Sequence, residues 1–203
     1  MWDLLLNCLD HFVISAAIGH LADQLNEFLK QTYALTEDIV LMSSLVDAQG
    51  QALPTTNNKL VVFLTRLEKD TVPYRQQAPG QAGAPYQVTS SAPVYLNLYV
   101  MVAANFSGGN YPEALKLISG AIAFFQRHPV FDHQAAPGLD ARIEKLVLDI
   151  ENLDIQGLSN MWSLLGSHYM PSVLYKVRMV AFDTEDVIAR LPNVRSTATA
   201  ASH

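Results

Sequence analysis

The residues of this chain best able to hold a metal or move a proton are its six histidines. Only His128 and His133, with Asp132 between them, lie close together in sequence. The stretch HPVFDH lacks the i, i+4 ligand pair that a helical HExxH motif presents on one face, so His128 reads as a helix C-terminal cation and His133 as a surface loop residue. His20 falls on a helical stretch as a boundary residue, and His168 sits in the loop GSHYMP, where Gly166 ends a helix. A nucleophile is equally hard to find. There is no G-x-S-x-G elbow, no S-x-x-K set and no local Cys-His arrangement. The single cysteine, Cys8, lies in an apolar N-terminal helix and excludes both an internal disulfide and a Cys-rich zinc site. The run Ser107, Gly108, Gly109, Asn110 precedes a helix, where an anion can bind, but it lacks the lysine of a P-loop and the third glycine of a dinucleotide fingerprint. It reads as a sharp strand-to-helix turn. Tyr95, Tyr99, Tyr111, Trp162 and Tyr175 are aromatic enough for a sugar or base platform, yet each has core-compatible spacing and is assigned to the core or a subunit interface. Arg66, Lys176 and Arg178 alternate with apolar residues, as a solvated strand face does. No catalytic, cofactor-binding or metal-ligating residue is assigned.

The elements that would position these side chains follow from periodicity. Residues 94–102 alternate Leu96, Leu98, Val100 and Val102 against Asn97, Tyr99 and Met101, a strand apolar on both faces and therefore interior to a sheet. A helix follows, with Asn110 as its cap, Glu113 completing a capping box, and an apolar stripe of Ala114, Leu115, Ile118, Ala121, Ile122 and Phe125. Arg127, His128 and Pro129 close it. Upstream, 4–30 is a long amphipathic helix weakened by Gly19, 38–43 a short strand, and 59–67 a stronger one in which Val61, Phe63, Thr65 and Leu67 alternate with Leu60, Val62, Leu64 and Arg66. Residues 72–93, rich in Pro, Gly, Gln and Ser, form a long exposed loop or flexible hairpin. Downstream, 143–151 has one wet face and lies near a sheet edge, Asp154 starts a helix carrying Leu158, Met161, Trp162 and Leu165, and 173–182 is the last strand. The expected fold is α+β, a mixed β-sheet of about five strands flanked by three helices. It forms one domain over 1–192, with a flexible C-terminal tail at 193–203.

The chain has 203 residues, half of them apolar, and a formal net charge of −6. That charge argues against a nucleic-acid backbone as partner, and the apolar content implies that part of the surface is an interface. The N-terminus places Asp3 where a secretory signal needs a basic region, and no stretch approaches the length of a membrane span.

Four blocks carry a family resemblance: YLNLYVMVAANF at 95–106, NYPEALKLISGAIAFFQRHPVF at 110–131, IEKLVLDIENL at 143–153 and NMWSLLGSHYMPSVLYKVRMVAFD at 160–183. In this order they resemble the cap, or tail-terminator, proteins of extracellular contractile injection systems, phage-tail-like particles that include the antifeeding prophage. The similarity spans about 13–183, and 1–12 precede the family's first helix. The resemblance implies a tail-terminator-like fold that assembles as a homo-hexamer ring at the end distal to the baseplate. There it stops tube and sheath polymerisation and links the tube protein to the sheath protein. It further implies a non-enzymatic structural protein without a cofactor, made in the bacterial cytoplasm and carried on a particle that is released or membrane-anchored. A tube or sheath adaptor of the same particle is the alternative, and an enzyme with dispersed catalytic residues a more remote one.

Overall fold

The computed structural model describes residues 13–70, 86–90, 94–106, 108–166, 168–181 and 187–192. Among the described residues three α-helices, α1 (Val13–Tyr33), α2 (Tyr111–Arg127) and α3 (Ile155–Leu164), accompany eight strands. These are β1 (Val40–Met42), β2 (Lys59–Lys69), β3 (Tyr86–Ser90), β4 (Val94–Asn105), β5 (Val130–Asp132), β6 (Ile143–Glu151), β7 (Ser172–Ala181) and β8 (Val187–Pro192). Six of them form one sheet in the order β1-β2-β4-β7-β6-β5. The β1–β2 pair is parallel and every other pair antiparallel, so the sheet is mixed. The fold is α+β, as expected.

The strand with two apolar faces, β4, does lie inside the sheet, between β2 and β7. Its even-numbered residues Leu98, Val100, Val102 and Ala104 face the helices α1 and α2, in one core with Leu60, Val62, Tyr175, Val177 and Met179. α1 contributes Ala17, Ile18, Leu21, Ala22, Leu25 and Leu29 at three- and four-residue spacing, and α2 contributes Ala114, Leu117, Ile118, Ala121, Phe124 and Phe125. The two helices approach closely at Gly120, where an added Cβ would stand 2.8 Å from Leu29 Cδ2 and 3.1 Å from the Tyr33 hydroxyl. The short β1 is tied to α1 by one buried amide. Asn26 Oδ1 accepts from the backbone N–H groups of Ile39 (2.9 Å) and Val40 (3.1 Å), while its Nδ2 donates to Asp38 Oδ1 at 2.7 Å. The start of the strand is thus fixed to the helix as well as to β2.

Several elements differ from the sequence expectation. The sheet has six strands rather than about five because β5, the three residues that directly follow Pro129, is too short to show any alternation. A further pair, β3 with β8, forms a two-stranded antiparallel ribbon. In sequence its strands come just before β4 and just after β7, which pair with one another in the main sheet. Residues 86–90 fall inside the stretch expected to be a loop or flexible hairpin; the rest of that stretch, 72–85 and 91–93, the expected helix start at 4–12 with Cys8, and the tail 193–203 lie outside the described residues. The capping box at Asn110 does not form. Gly108 takes a left-handed φ of +57° and opens a 3-10 turn, Gly108–Asn110. Asn110 then has φ −95° and ψ 14°, not the extended geometry an N-cap needs, and its side-chain Nδ2 reaches Asn58 instead. Glu113 pairs with Lys116. The glycine does make the sharp turn expected of it. At α3 the expected cap is present: Asp154 Oδ1 accepts from the Gly157 N–H at 2.7 Å, and Gly166, at φ +65°, follows the helix end.

Candidate functional site

The described histidines are placed apart. His128 caps the C-terminus of α2, its N–H bonded to the Phe124 carbonyl and its ring 5.1 Å from the Phe124 ring. Asp132 accepts the backbone N–H groups of Gln134 and Ala135, which closes a turn and leaves His133 exposed. His20 packs edge-on against Phe131 with a buried Nε2 that has no partner, and burial lowers its pKa. His168 is exposed beside α3. Among the described residues no three His, Cys, Asp or Glu side chains gather closely enough to hold a metal ion. No described helix is long and apolar enough to cross a membrane.

The face of the sheet opposite α1 and α2 carries the polar residues that strand alternation singled out. At one end this face is covered by α3, whose Trp162 packs with Leu45, Val61, Phe63, Met101, Ala103 and Leu174. Beyond α3 the sheet presents two rows that cross four strands: Arg66, Tyr99, Lys176 and Asp149 in one, Glu68, Asn97, Arg178 and Val147 in the next. The structure therefore brings Arg66, Lys176 and Arg178 together around Tyr99. A β-bulge does this. The register of β2 shifts between Leu64 and Arg66, so Thr65 is the extra residue and Arg66 and Glu68 turn to the side of Val61 and Phe63. Strict alternation had put Arg66 with Leu60 and Val62.

Tyr99 is the hub of this patch. Its hydroxyl donates to Glu68 Oε2 at 2.8 Å, the Arg66 guanidinium lies 5.3 Å from the ring centroid, and Lys176 Nζ lies 5.9 Å from it. Arg66 also pairs with Glu68. The hydrogen bond to Glu68, followed by burial, raises the phenol pKa, so the hydroxyl remains a donor. Beside it, Asn97 is buried with an Oδ1 that has no partner. The array combines two cations, a carboxylate, a phenol and an unpartnered amide oxygen on one open sheet face, a set of hydrogen-bonding and charged groups suited to polar recognition. Glu68, Asn97 and Asp149 were not singled out from sequence, because membership of the rows depends on strand order and on the bulge.

Two other surfaces stand out. Against α3 an open groove of about 400 Å³ is lined by Ile155, Leu158, Trp162, His168 and Tyr169, with Tyr169 edge-on to Trp162 at 6.0 Å. Tyr111, by contrast, is simply exposed at the start of α2. Exposed apolar side chains also collect at both lateral margins of the sheet, Met42, Leu64 and Leu67 at one and Val130 and Ile150 at the other.

Residues 17–196 match the family model described as the Pvc16 N-terminal domain. No curated protein matches the chain. Two solved structures share its fold. One, the tube-terminating cap of the anti-feeding prophage, is 17% identical with a TM-score of 0.57 over 87% of this chain and 58% of that one. The other, the sheath/tube terminator of the PVC extracellular contractile injection system in its extended state, is 14% identical with a TM-score of 0.54 over 90% of this chain and 62% of that one. The chain thus spans about three fifths of the length of these structures. With 17–196 matched, it belongs to the Pvc16 N-terminal domain family.

Proposed function

From that membership we propose that this protein caps the tube and sheath of a contractile injection system. It forms a homo-hexameric ring at the end distal to the baseplate, ends polymerisation there and joins tube to sheath. The reading is supported above all by the fold shared over most of the chain with two proteins, one described as a tube-terminating cap and the other as a sheath/tube terminator. A cap must have one surface that fits the last ring and another that accepts no further ring. That the two sheet faces differ, one closed by α1 and α2 and the other carrying the Tyr99 patch and the α3 groove, supports this reading. Ring formation needs heterologous contacts, in which one margin of a subunit meets a different margin of its neighbour. The role is structural, without catalysis or a cofactor. It is carried by one domain over 1–192 followed by a tail at 193–203.

Deleting the gene tests this. Loss of an end-occupying subunit changes when assembly stops, not whether it occurs. Electron microscopy is expected to show particles of widely varying length, or naked tubes, with tube and sheath proteins still made. Particles of normal length with a contractile sheath would refute the cap role.

A further inference from the structure

The two lateral margins of the six-stranded sheet are both incompletely covered, and they are open at the same level. On one side β1 flanks β2 only at Leu60, Val61 and Val62. Among the described residues no strand flanks β2 from Leu64 onward. On the other side β5 flanks β6 only at Lys145, Leu146 and Val147, and the Leu148 N–H is bonded to the Pro129 carbonyl, so among the described residues Asp149 to Glu151 have no outer strand. Tracing the pairings across the sheet puts Leu64 in the same row as Ile150, by way of Val100 and Tyr175. Arg66 shares a row with Asp149, and Leu67 with Leu148. The open stretch of β2 therefore faces outward at the height at which the open stretch of β6 faces outward on the far side.

The side chains at the two margins are complementary. Residues 64–69 hold Arg66 and Lys69 against the single acid Glu68, whereas 148–151 hold Asp149 and Glu151 and no cation. On the side of the sheet that faces α1 and α2, Leu64 and Leu67 are exposed at one margin and Ile150 at the other. Strand direction fits as well, because β2 and β6 are antiparallel to one another across β4 and β7. A neighbouring copy in the same orientation would bring its β6 alongside this β2 as an antiparallel partner. Open edges of this kind are templates for pairing with another chain.

We propose that the outer edge of β2 in one copy pairs with the outer edge of β6 in the next, placing Arg66 opposite the neighbour's Asp149 and Leu64 beside the neighbour's Ile150. This rests on the ring proposed above and names its contact. Because the open stretches share their rows, successive copies joined this way need not climb along the axis. A heterologous contact must meet that condition to close into a ring rather than propagate as a filament. A groove of about 400 Å³ lined by Met42, Ser43, Leu45, Phe63 and Leu64 lies just where β1 ends and leaves room for the entering strand.

The test is cross-linking of the full chain carrying Cys8→Ser, Arg66→Cys and Asp149→Cys, by oxidation or with a short bismaleimide. Within one copy the two positions are three strand spacings apart, about 14 Å, too far for a disulfide. The expected result is a ladder of covalent oligomers that ends at the size of the ring, while each single cysteine variant gives no ladder. A second measurement guards against damage from the cysteines. Arg66→Glu and Asp149→Arg should each weaken self-association about fivefold or more, and the two together should restore it, a rescue that residues so distant within one copy cannot provide by themselves. Rings that form in light scattering without the ladder and without charge-swap rescue would overturn the edge pairing and leave the ring standing. A chain that stays monomeric at high concentration and forms no ring on assembled particles would overturn the ring, and the pairing with it.

Discussion

Replacing Tyr175 by phenylalanine should make this protein more stable, although the tyrosine is buried in the middle of the sheet. Tyr175 is 3% exposed, and its ring lies edge-on to Phe125 with centroids 5.0 Å apart. Its hydroxyl finds no hydrogen-bond partner, and burial alone drives its pKa far above the usual phenol value. An orphaned buried hydroxyl costs about 1 to 3 kcal/mol, since it gives up its bonds to water and gains none. Removing one oxygen leaves a void of roughly 15 Å³, which at about 24 cal/mol per Å³ returns only about 0.4 kcal/mol of that gain. The net expectation is a stabilisation of about 0.5 to 2.5 kcal/mol, or a rise in Tm of about 1 to 10 °C for a chain of this length. Urea unfolding of Tyr175→Phe beside the parent protein would report it as a higher midpoint at unchanged m. A parallel Tyr175→Leu variant, which also loses the ring against Phe125, should be destabilised. If Tyr175→Phe were less stable by about 1 kcal/mol or more, the hydroxyl must have a partner in the folded protein, and the account of this part of the core would fail.

Asn26→Ala should cost about 2 to 4 kcal/mol, because it strands the N–H groups of Ile39 and Val40, and amide exchange at those two residues should accelerate before that of β4. Gly120→Ala brings a methyl group against Leu29 and Tyr33, and overpacking of about 1 to 3 kcal/mol outweighs the helix-propensity gain of about 1 kcal/mol; the loss should shrink in a Leu29→Ala background. Two groups give the stability a signed pH dependence. Arg142 holds the Asp140 carboxyl at about 2, so its contribution is complete above the unfolded carboxylate value and is lost as pH falls through about 2; Asp140→Asn should flatten the acid end of the stability curve. Burial lowers the pKa of His20, so the unfolded chain takes up that proton first and stability declines as pH falls below about 6.5, a slope that His20→Leu should remove in unfolding titrations from pH 8 to 5.

Elements whose sequence pattern is itself the cause of their structure were legible. β4 alternates residues that are apolar on both faces, and burial on both faces is what places a strand inside a sheet. α2 carries a stripe because that stripe is its contact with the sheet, although Leu115, read as part of it, is exposed and Leu117 and Phe124 are buried in its place; Asp154 caps α3 through its own side chain. Misreadings arose where a local pattern competed with a neighbour. Asn110 and Glu113 have the spacing of a capping box, but the left-handed turn at Gly108 fixes the approach to the helix and Asn58 attracts the asparagine. β5 is a strand only because β6 is beside it. Three residues hold too little pattern to announce that, and the pairing is tertiary.

The candidate site was less legible than the fold, and Thr65 shows why. In the sequence, 59–67 alternates without a break, and that alternation assigns Arg66 to the side of Leu60. A bulge costs the strand one residue of phase, so every side chain beyond it changes face. Here the change gives Tyr99 its cation and its carboxylate partner, and it puts the Leu64 and Leu67 side chains on the same side of the sheet although they are an odd number apart. Thr65 holds the irregularity from within, its hydroxyl donating to the Tyr99 carbonyl at 3.0 Å. The polar patch and the apolar margin are thus two consequences of one inserted residue. Any partner that reads both surfaces depends on a register that no count of alternating residues contains.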